Sequence, residues 1–138
     1  MAMMVRPERR ALVAEDSVLV LLGLEFELSQ QGVEIVGSAS TVAQALVLAT
    51  TAVFDIAILD INLHGEMVFP VADLLRQRDI PVIFTTGYDP KQMLPPEYAG
   101  VPCLQKPYDP RALMHLVTQA LMPVAAHDTT MQAKNLLT

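Results

Sequence analysis

Short and long apolar segments alternate along the chain. The short segments are uninterrupted and end in polar residues or turn formers, which is typical of strands buried within a parallel sheet. They cover residues 11–14, 33–37, 56–59, 81–85 and 101–105. This alternation predicts an α/β domain in which helices cover both faces of a five-stranded parallel sheet.

The longer segments between these strands predict helices. The first helix covers 18–28 and continues toward Gly32, and the second covers 41–51 and begins at Ser40 or Thr41. The third is marked by Val71, Leu74 and Leu75, with Pro70 at its first position. The last covers 110–121 and is capped by Asp109. Prolines and a glycine interrupt residues 88–102, so we expect the fourth helix to be short or irregular. On the first helix, we expect a core face rather than a docking groove, formed by Val18, Leu21, Leu22, Glu25 and Leu28.

The composition narrows the class of protein. The 138 residues are 52% hydrophobic, with a mean hydropathy of +0.38, which fits one domain with a substantial core. A formal charge of −6 disfavours binding to nucleic acid or to anionic membrane surfaces. We expect one domain at 11–122, an N-terminal extension at 1–10 and a flexible C-terminal tail at 123–138.

The only cysteine, Cys103, excludes an internal disulfide and a cysteine-based zinc cluster, which favours a cytoplasmic location. Glu15 and Asp16 interrupt the first apolar segment, so it does not fit a secretory signal. The longest uncharged segment, 35–54, contains many hydroxyl and amide side chains and changes its period, so we do not expect a membrane span.

Polar side chains follow the predicted strands where functional groups of open parallel sheets gather, at the carboxyl ends. They are Glu15, Asp16, Asp60, Thr85, Thr86 and Lys106. Clustered carboxylates attract a hard cation such as Mg²⁺, while a hydroxyl and an ammonium suit the oxygens of a phosphoryl group. The combination indicates phosphoryl transfer onto Asp60 as a carboxylate nucleophile.

Four sequence strings carry a resemblance to a known family. ALVAED, ILDINL, FTTGY and LQKPY resemble, in this order, the motifs of the receiver domain of bacterial two-component response regulators. The resemblance implies a flavodoxin-like (βα)5 receiver fold with strand order 2-1-3-4-5. It also implies that Asp60 accepts a phosphoryl group, while Thr86 and Lys106 hold its oxygens. The implied Mg²⁺ ligands are Asp16, Asp60 and the backbone carbonyl of Asn62, with Glu15 assisting.

The chain departs from the usual receiver pattern at two places. His64 and Gly65 occupy the loop that usually carries a proline, and Cys103 stands where an aromatic switch residue is usual. We assign no role to His64, and interpret Cys103 as a small buried residue rather than a redox sensor. FTTGY is similar to the signature of an atypical, generally single-domain subfamily with a Phe-Ala-Thr-Gly-Tyr-like motif. We therefore expect the Gly87–Tyr88 pair to take over part of the switching.

The resemblance also implies partners. We expect a sensor histidine kinase or a histidine phosphotransfer protein to dock near the first helix and to donate the phosphoryl group. Because 138 residues leave no room for an output domain, we expect a separate protein to read the signal, or the domain to serve as a phosphate sink. The domain would then be a switch rather than a turnover enzyme, and a monomer or weak dimer.

Three other functions are compatible with parts of the pattern. An Asp-nucleophile phosphatase uses similar groups but needs a second acid two residues after the nucleophile, where this chain has Asn62. A nucleotide or flavin binder needs a glycine-rich phosphate loop after the first strand, which Glu15 and Asp16 replace. A pseudo-receiver scaffold would not need the complete set of acids, threonine and lysine.

Overall fold

The computed structural model describes residues 9–122 and contains seven strands, five α-helices and a 3₁₀ turn. The strands are β1 (Arg10–Ala14), β2 (Glu34–Ala39), β3 (Ile56–Asp60), β4 (Asn62–Leu63), β5 (Glu66–Met67), β6 (Val82–Thr86) and β7 (Cys103–Gln105). The helices are α1 (Val18–Gln30), α2 (Val42–Thr51), α3 (Phe69–Gln77), α4 (Pro90–Met93) and α5 (Pro110–Ala120), with the 3₁₀ turn at Pro96–Tyr98.

Five strands form one parallel sheet in the order β2-β1-β3-β6-β7. Numbered among themselves, these strands have the order 2-1-3-4-5, so the predicted α/β flavodoxin-like topology is confirmed. The strand pairing aligns Asp60 with Thr85 and Thr86 with Gln105. The polar residues at the carboxyl ends of neighbouring strands therefore reach the same edge of the sheet.

The hydrophobic core lies on both faces of this sheet. Alternate residues of a strand point to opposite faces, so Leu12 and Ala14 pack against α2 and α3, while Ala11 and Val13 pack against α1 and α5. Burial of these uninterrupted apolar strands from both sides explains why they do not show the alternation of a half-exposed sheet. The central strand β3 is buried along its whole length and ends in Asp60.

Capping side chains fix several helix boundaries near their predicted positions. Ser17, Thr41 and Asp109 each accept a backbone hydrogen bond at the start of α1, α2 and α5. Between β6 and β7, helix α4 has four residues, and a 3₁₀ turn follows it. Consecutive prolines at 95 and 96 prevent a longer helix there, as the sequence predicts.

Some predicted boundaries differ from the observed ones. Strand β1 begins at Arg10, which the sequence predicts to lie in the N-terminal extension, because Arg10 pairs with Glu34 of β2. Helix α3 begins one residue before Pro70. The rest of the predicted extension, 1–8, and the predicted tail, 123–138, lie outside the described residues. No helix within residues 9–122 is long and apolar enough to cross a membrane.

The expectation of a core face on α1 is wrong for part of that face. Leu28 is buried and Leu21 packs against the core, but Val18, Leu22 and Glu25 are exposed. Because the helix is apolar on almost every side, periodicity could not tell its inner face from its outer one. The exposed apolar side chains of this outer face, which we call the α1 outer face, are Val18, Leu19, Leu22 and Phe26.

Candidate phosphoacceptor and metal site

The predicted site residues gather where the sheet strands end. Glu15 and Asp16 directly follow β1, Asp60 is the last residue of β3, and Thr86 is the last residue of β6. Lys106 directly follows β7, and its backbone N–H donates to the carbonyl of Thr86 at 2.7 Å. Parallel pairing thus brings residues from four distant parts of the chain to one edge.

The ammonium of Lys106 joins two of the carboxylates. Its Nζ donates to Oε1 of Glu15 at 2.8 Å and to Oδ2 of Asp60 at 2.9 Å. The side chain of Lys106 is 23% exposed, whereas those of Glu15 and Asp60 are 2% and 8% exposed. Charged groups this far from water need such partners, because an unpaired buried carboxylate is costly.

Burial and ion pairing shift the pKa values of Glu15 and Lys106 in opposite directions. Burial raises the pKa of Glu15, and the hydrogen bond from Lys106 only partly offsets that increase. Burial lowers the pKa of Lys106, but hydrogen bonds to Glu15 and Asp60 outweigh this effect and leave the pKa above its usual value. Lys106 therefore stays charged at neutral pH, and its ammonium faces Glu15 and Asp60.

The acidic residues fit a divalent cation. One carboxylate oxygen each from Glu15, Asp16 and Asp60 can be chosen so that all three lie within 4.8 Å of one another. One ammonium does not balance three carboxylates, so the pocket keeps an excess of negative charge. Oxygen ligands of this kind and spacing suit Mg²⁺, which keeps several of its waters.

The predicted switch residues Thr86, Gly87 and Tyr88 lie beside the site. Within residues 9–122, the side chain of Asp60 is hydrogen-bonded to Lys106 and Asn62 but not to these three residues. Thr86 is buried, and its Oγ1 accepts a hydrogen bond from the backbone N–H of Tyr88 at 3.1 Å. Gly87 and the Tyr88 ring are exposed. A displacement of the Thr86 hydroxyl would therefore act directly on the backbone that carries Tyr88.

A hairpin that the sequence did not predict follows β3. Strands β4 and β5 pair antiparallel, and His64 and Gly65 form the turn between them. The backbone N–H of Asn62 donates to Oδ1 of Asp60 at 3.3 Å, and its side-chain Oδ1 accepts from Gly65 at 2.7 Å. Two residues with a glycine in the second position, between short pairing segments, are the sequence signal for such a turn.

Cys103 lies on β7, partly buried against the core. Burial raises the pKa of its thiol to about 11. The side chain borders a cavity of about 400 Å³, whose other lining residues are Pro90, Lys91, Leu94, Ala99 and Val101. A thiol with this pKa is a poor nucleophile at neutral pH, which agrees with a packing role rather than redox sensing.

This arrangement of Asp60, an acidic pair, a threonine and a lysine at one edge of a 2-1-3-4-5 sheet is typical of one class of protein. The family model described as "Response regulator receiver domain" matches residues 11–118. The chain therefore belongs to the receiver domain family of two-component response regulators. Members of this family signal through phosphorylation, bind Mg²⁺ at an acidic pocket and interact with histidine kinases and effector proteins.

Several known proteins are similar to this chain. Sensory transduction protein LytT of Bacillus cereus is 31% identical over 103 residues, which are 72% of this chain and 42% of LytT. The chain thus spans about 42% of the length of the curated relatives it matches. The solution structure of SdrG from Sphingomonas melonis Fr1 has a TM-score of 0.73 and 34% identity, covering 83% of this chain and 98% of SdrG.

A third similar protein has a structure with bound ligands. The crystal structure of TrrA from Thermotoga maritima, in complex with Mg²⁺-BeF, has a TM-score of 0.72 and 27% identity. The match covers 82% of this chain and 99% of TrrA.

Proposed function

We propose that this domain is a phosphoacceptor switch that takes a phosphoryl group from a phosphohistidine onto Asp60 with Mg²⁺. The observation that carries the proposal is the environment of Asp60. It ends a fully buried strand, lies 2.9 Å from the ammonium of Lys106 and shares a pocket with Glu15 and Asp16. A nucleophilic carboxylate needs a group that can stabilise charge on the transferring phosphoryl oxygens, and the distance from Lys106 to Asp60 supports that role for Lys106.

The transfer itself is a simple exchange of bonds. A carboxylate oxygen of Asp60 forms a P–O bond while the P–N bond of the phosphohistidine breaks. The electron pair of that bond passes to the imidazole nitrogen, which takes up a proton. Lys106 then pairs with an oxygen of the phosphoryl group, and the Thr86 hydroxyl donates to another.

Mg²⁺ would be held by Asp16, Asp60 and the backbone carbonyl of Asn62, with Glu15 assisting. When bound, the ion neutralises negative charge on the phosphoryl group and its acceptor. The structure of the similar protein TrrA in complex with Mg²⁺-BeF supports Mg²⁺ binding by a domain of this fold. Asn62 supplies no general acid, since its side chain is a carboxamide whose oxygen is occupied by Gly65, so the proposal is a switch rather than a turnover phosphatase.

The acceptor is tested by Asp60→Asn. We expect the wild-type chain, incubated with acetyl phosphate and Mg²⁺, to gain one phosphoryl group by intact-mass spectrometry. Asp60→Asn should gain none, because a carboxamide is not a nucleophile of this kind. The matched control is Asp79→Asn, at an exposed residue with φ of 58°, a conformation that asparagine also tolerates.

The control should be phosphorylated as fully as the wild type. Equal phosphorylation of Asp60→Asn, or none of the wild type, would contradict the proposal. Hydrolysis of small phosphate esters over many turnovers would instead favour a phosphatase.

We further propose that the phosphodonor docks on the α1 outer face. This face begins directly after Asp16 and Ser17, so a bound helical protein would place its phosphohistidine near Asp60. Val20, on the same helix, lines a cleft together with Lys106 and Tyr108. Exposed apolar side chains of this number on one short helix are typical of a protein-binding surface.

Leu19→Asn tests the docking face. We expect it to slow phosphoryl transfer from phosphorylated histidine kinases, taken as a panel from the host organism, by about tenfold. Phosphorylation by acetyl phosphate should stay unchanged, because the acceptor site is untouched. Val47→Asn, at an exposed valine on α2, is the matched control. Equal rates for Leu19→Asn and the control would place the docking site elsewhere.

We propose that phosphorylation shifts the loop from Thr86 through Gly100 between two conformations, and that Tyr88 takes over part of the role of the missing aromatic residue. The hydrogen bond between the Thr86 hydroxyl and Tyr88 supports this coupling. The FTTGY string supports membership of the subfamily with the Phe-Ala-Thr-Gly-Tyr-like motif. A separate downstream protein, or a phosphate-sink role, and a cytoplasmic location remain predictions from the sequence.

Alkylation of Cys103 reports on this segment. Because the thiol has a pKa of about 11, we expect its rate with iodoacetamide to rise about tenfold per pH unit up to that value. At constant pH, beryllium fluoride with Mg²⁺ should change the rate at least severalfold, since Pro90, Lys91 and Leu94 line the same cavity. A rate that levels off near neutral pH, or that ignores beryllium fluoride, would contradict the respective part of this prediction.

A further inference from the structure

The ring of Tyr98, in the 3₁₀ turn between α4 and β7, packs between two other aromatic rings. Tyr98 is only 3% exposed. Its ring stacks on Phe69 of α3 with a centroid distance of 5.6 Å and meets Phe84 of β6 edge-on at 5.5 Å. Aromatic pairs in these geometries add to the stability that burial alone provides. The ring therefore fixes the turn to α3 and to β6.

Polar contacts with α3 reinforce this packing. The Tyr98 hydroxyl donates a hydrogen bond to the carboxylate of Asp73. The Cζ atom of Arg76 lies 4.2 Å from the centroid of the Tyr98 ring, and its guanidinium donates to the carbonyl of Glu97 at 2.7 Å. We call this set of contacts the Tyr98 anchor; its members are Phe69, Asp73, Arg76, Phe84 and Tyr98.

The segment that contains Tyr98, residues 94–101, lies between two cavities. Tyr98 and Val101 line a cavity of about 440 Å³ together with residues of α3. Val101 and Ala99 also line the cavity of about 400 Å³ beside Cys103. The backbone N–H groups of Tyr98, Ala99 and Val101 donate to carbonyls of the same segment. A shift of the segment therefore has room on both sides and leaves the strand pairing intact, but it requires Tyr98 to leave its ring contacts.

The other end of the same loop is joined to the phosphoacceptor site. The Thr86 hydroxyl accepts a hydrogen bond from the backbone N–H of Tyr88 at 3.1 Å. Thr86 and Phe84 are two residues apart on β6, so their side chains point to the same face of the sheet, and both are buried. A Thr86 hydroxyl that turns toward a phosphoryl group releases the N–H of Tyr88. The loop can then shift only as far as Tyr98 permits.

We propose that the Tyr98 anchor opposes the phosphorylated conformation of the loop between β6 and β7, so that phosphorylation of Asp60 has to release it. The inference rests on the proposed function. Coupling of this kind is reciprocal: a weaker anchor strengthens binding of a phosphoryl group, and a bound phosphoryl group weakens the anchor. Tyr98 contacts no reacting group and acts only through the equilibrium between the two conformations.

Tyr98→Phe tests the anchor, because it removes the hydroxyl and keeps the ring. Burial raises the pKa of Tyr98 to about 12, so the wild-type hydroxyl keeps the proton that it donates to Asp73 at neutral pH. We expect the amides of residues 98–101 to exchange with deuterium about fivefold faster in the unphosphorylated variant, because a hydrogen bond to a carboxylate is lost. Asp79→Asn is the matched control, since Asp79 is an exposed carboxylate that borders the same cavity.

Binding of beryllium fluoride, a phosphoryl mimic, separates coupling from simple packing. At saturating Mg²⁺, we expect Tyr98→Phe to bind it more tightly by about the same fivefold factor, because less free energy is needed to release the anchor. An NMR titration that follows the Gly87 amide measures this affinity. Asp79→Asn should match the wild type in both measurements.

Each of the other outcomes contradicts a defined part of the account. Faster exchange with unchanged or weaker beryllium fluoride binding would make Tyr98 a packing residue and overturn the inference alone. Unchanged exchange in Tyr98→Phe would also overturn it, because the hydroxyl would then not hold the segment. A wild type that binds no beryllium fluoride with Mg²⁺ would overturn the proposed function, and the inference with it.

Discussion

Lys106→Met is expected to lower the free energy of unfolding by about 3 kcal/mol in the absence of divalent cations. The substitution keeps the length of the side chain but removes the ammonium that lies 2.8 Å from Glu15 and 2.9 Å from Asp60. Both carboxylates are then left buried, close to each other and to Asp16, without a cation. Urea denaturation followed by circular dichroism measures the loss.

The same explanation predicts how Mg²⁺, a control variant and pH affect the stability. Mg²⁺ should recover part of the lost stability, because it can replace the missing positive charge, and Lys91→Met, at an exposed lysine on α4, should have little effect. The pKa of Lys106 is raised above 10.5, so its contribution is complete below that pH and is lost as pH rises through the folded-state value. Unchanged or increased stability of cation-free Lys106→Met would contradict this account of the site.

Phe84→Ala is expected to lower the free energy of unfolding by about 3–5 kcal/mol. Phe84 is fully buried on β6, two residues before Thr86. Its ring meets Phe69 and Tyr98 edge-on, with centroid distances of 5.7 Å and 5.5 Å. Truncation leaves a cavity between the sheet, α3 and the 3₁₀ turn, and removes both ring contacts.

Phe26→Ala is the control for this prediction, because it removes the same ring from the α1 outer face, where Phe26 is 62% exposed. We expect a change within about 0.5 kcal/mol there. Thermal and urea unfolding of the two variants, measured side by side, give the comparison. Similar losses for both would mean that the α1 outer face is covered in solution and that the assignment of the core is wrong.

The sheet could be predicted because each of its strands has a local sequence pattern that identifies it. An uninterrupted apolar run such as 56–59, ending in Asp60, has few explanations other than a buried strand. The order of the strands came from the resemblance to a family, since local patterns contain no information about which strands are neighbours. The same local rules predicted Ser40 or Thr41 as the cap of α2 and Asp109 as the cap of α5. In the structure the caps are Thr41 and Asp109.

The elements that the sequence did not reveal depend on contacts between distant residues. The outward direction of Phe26 is decided by which side of an almost wholly apolar helix meets the sheet. The burial of Tyr98 depends on its stacking on Phe69 and its hydrogen bond to Asp73, which are far away in sequence. No periodicity within residues 88–102 could show either contact.

Some residues of the candidate site could likewise be predicted from the sequence and others could not. Glu15, Asp60 and Lys106 could be placed together because each follows a strand of one parallel sheet, and the structure joins them directly. His64 was assigned no role, because a loop histidine has no pattern of its own. Its backbone hydrogen bond to Asp16, 48 positions earlier, depends on the folded hairpin and has no local sequence signal.

The location of the phosphoryl group tests the central claim most directly. After incubation with acetyl phosphate and Mg²⁺, borohydride reduces an aspartyl phosphate to homoserine, and peptide mass spectrometry then identifies the position. We predict homoserine at position 60, dependent on Mg²⁺. Homoserine at position 16 or elsewhere, or its absence in a chain that carries phosphate, would contradict the assignment of Asp60 as the acceptor.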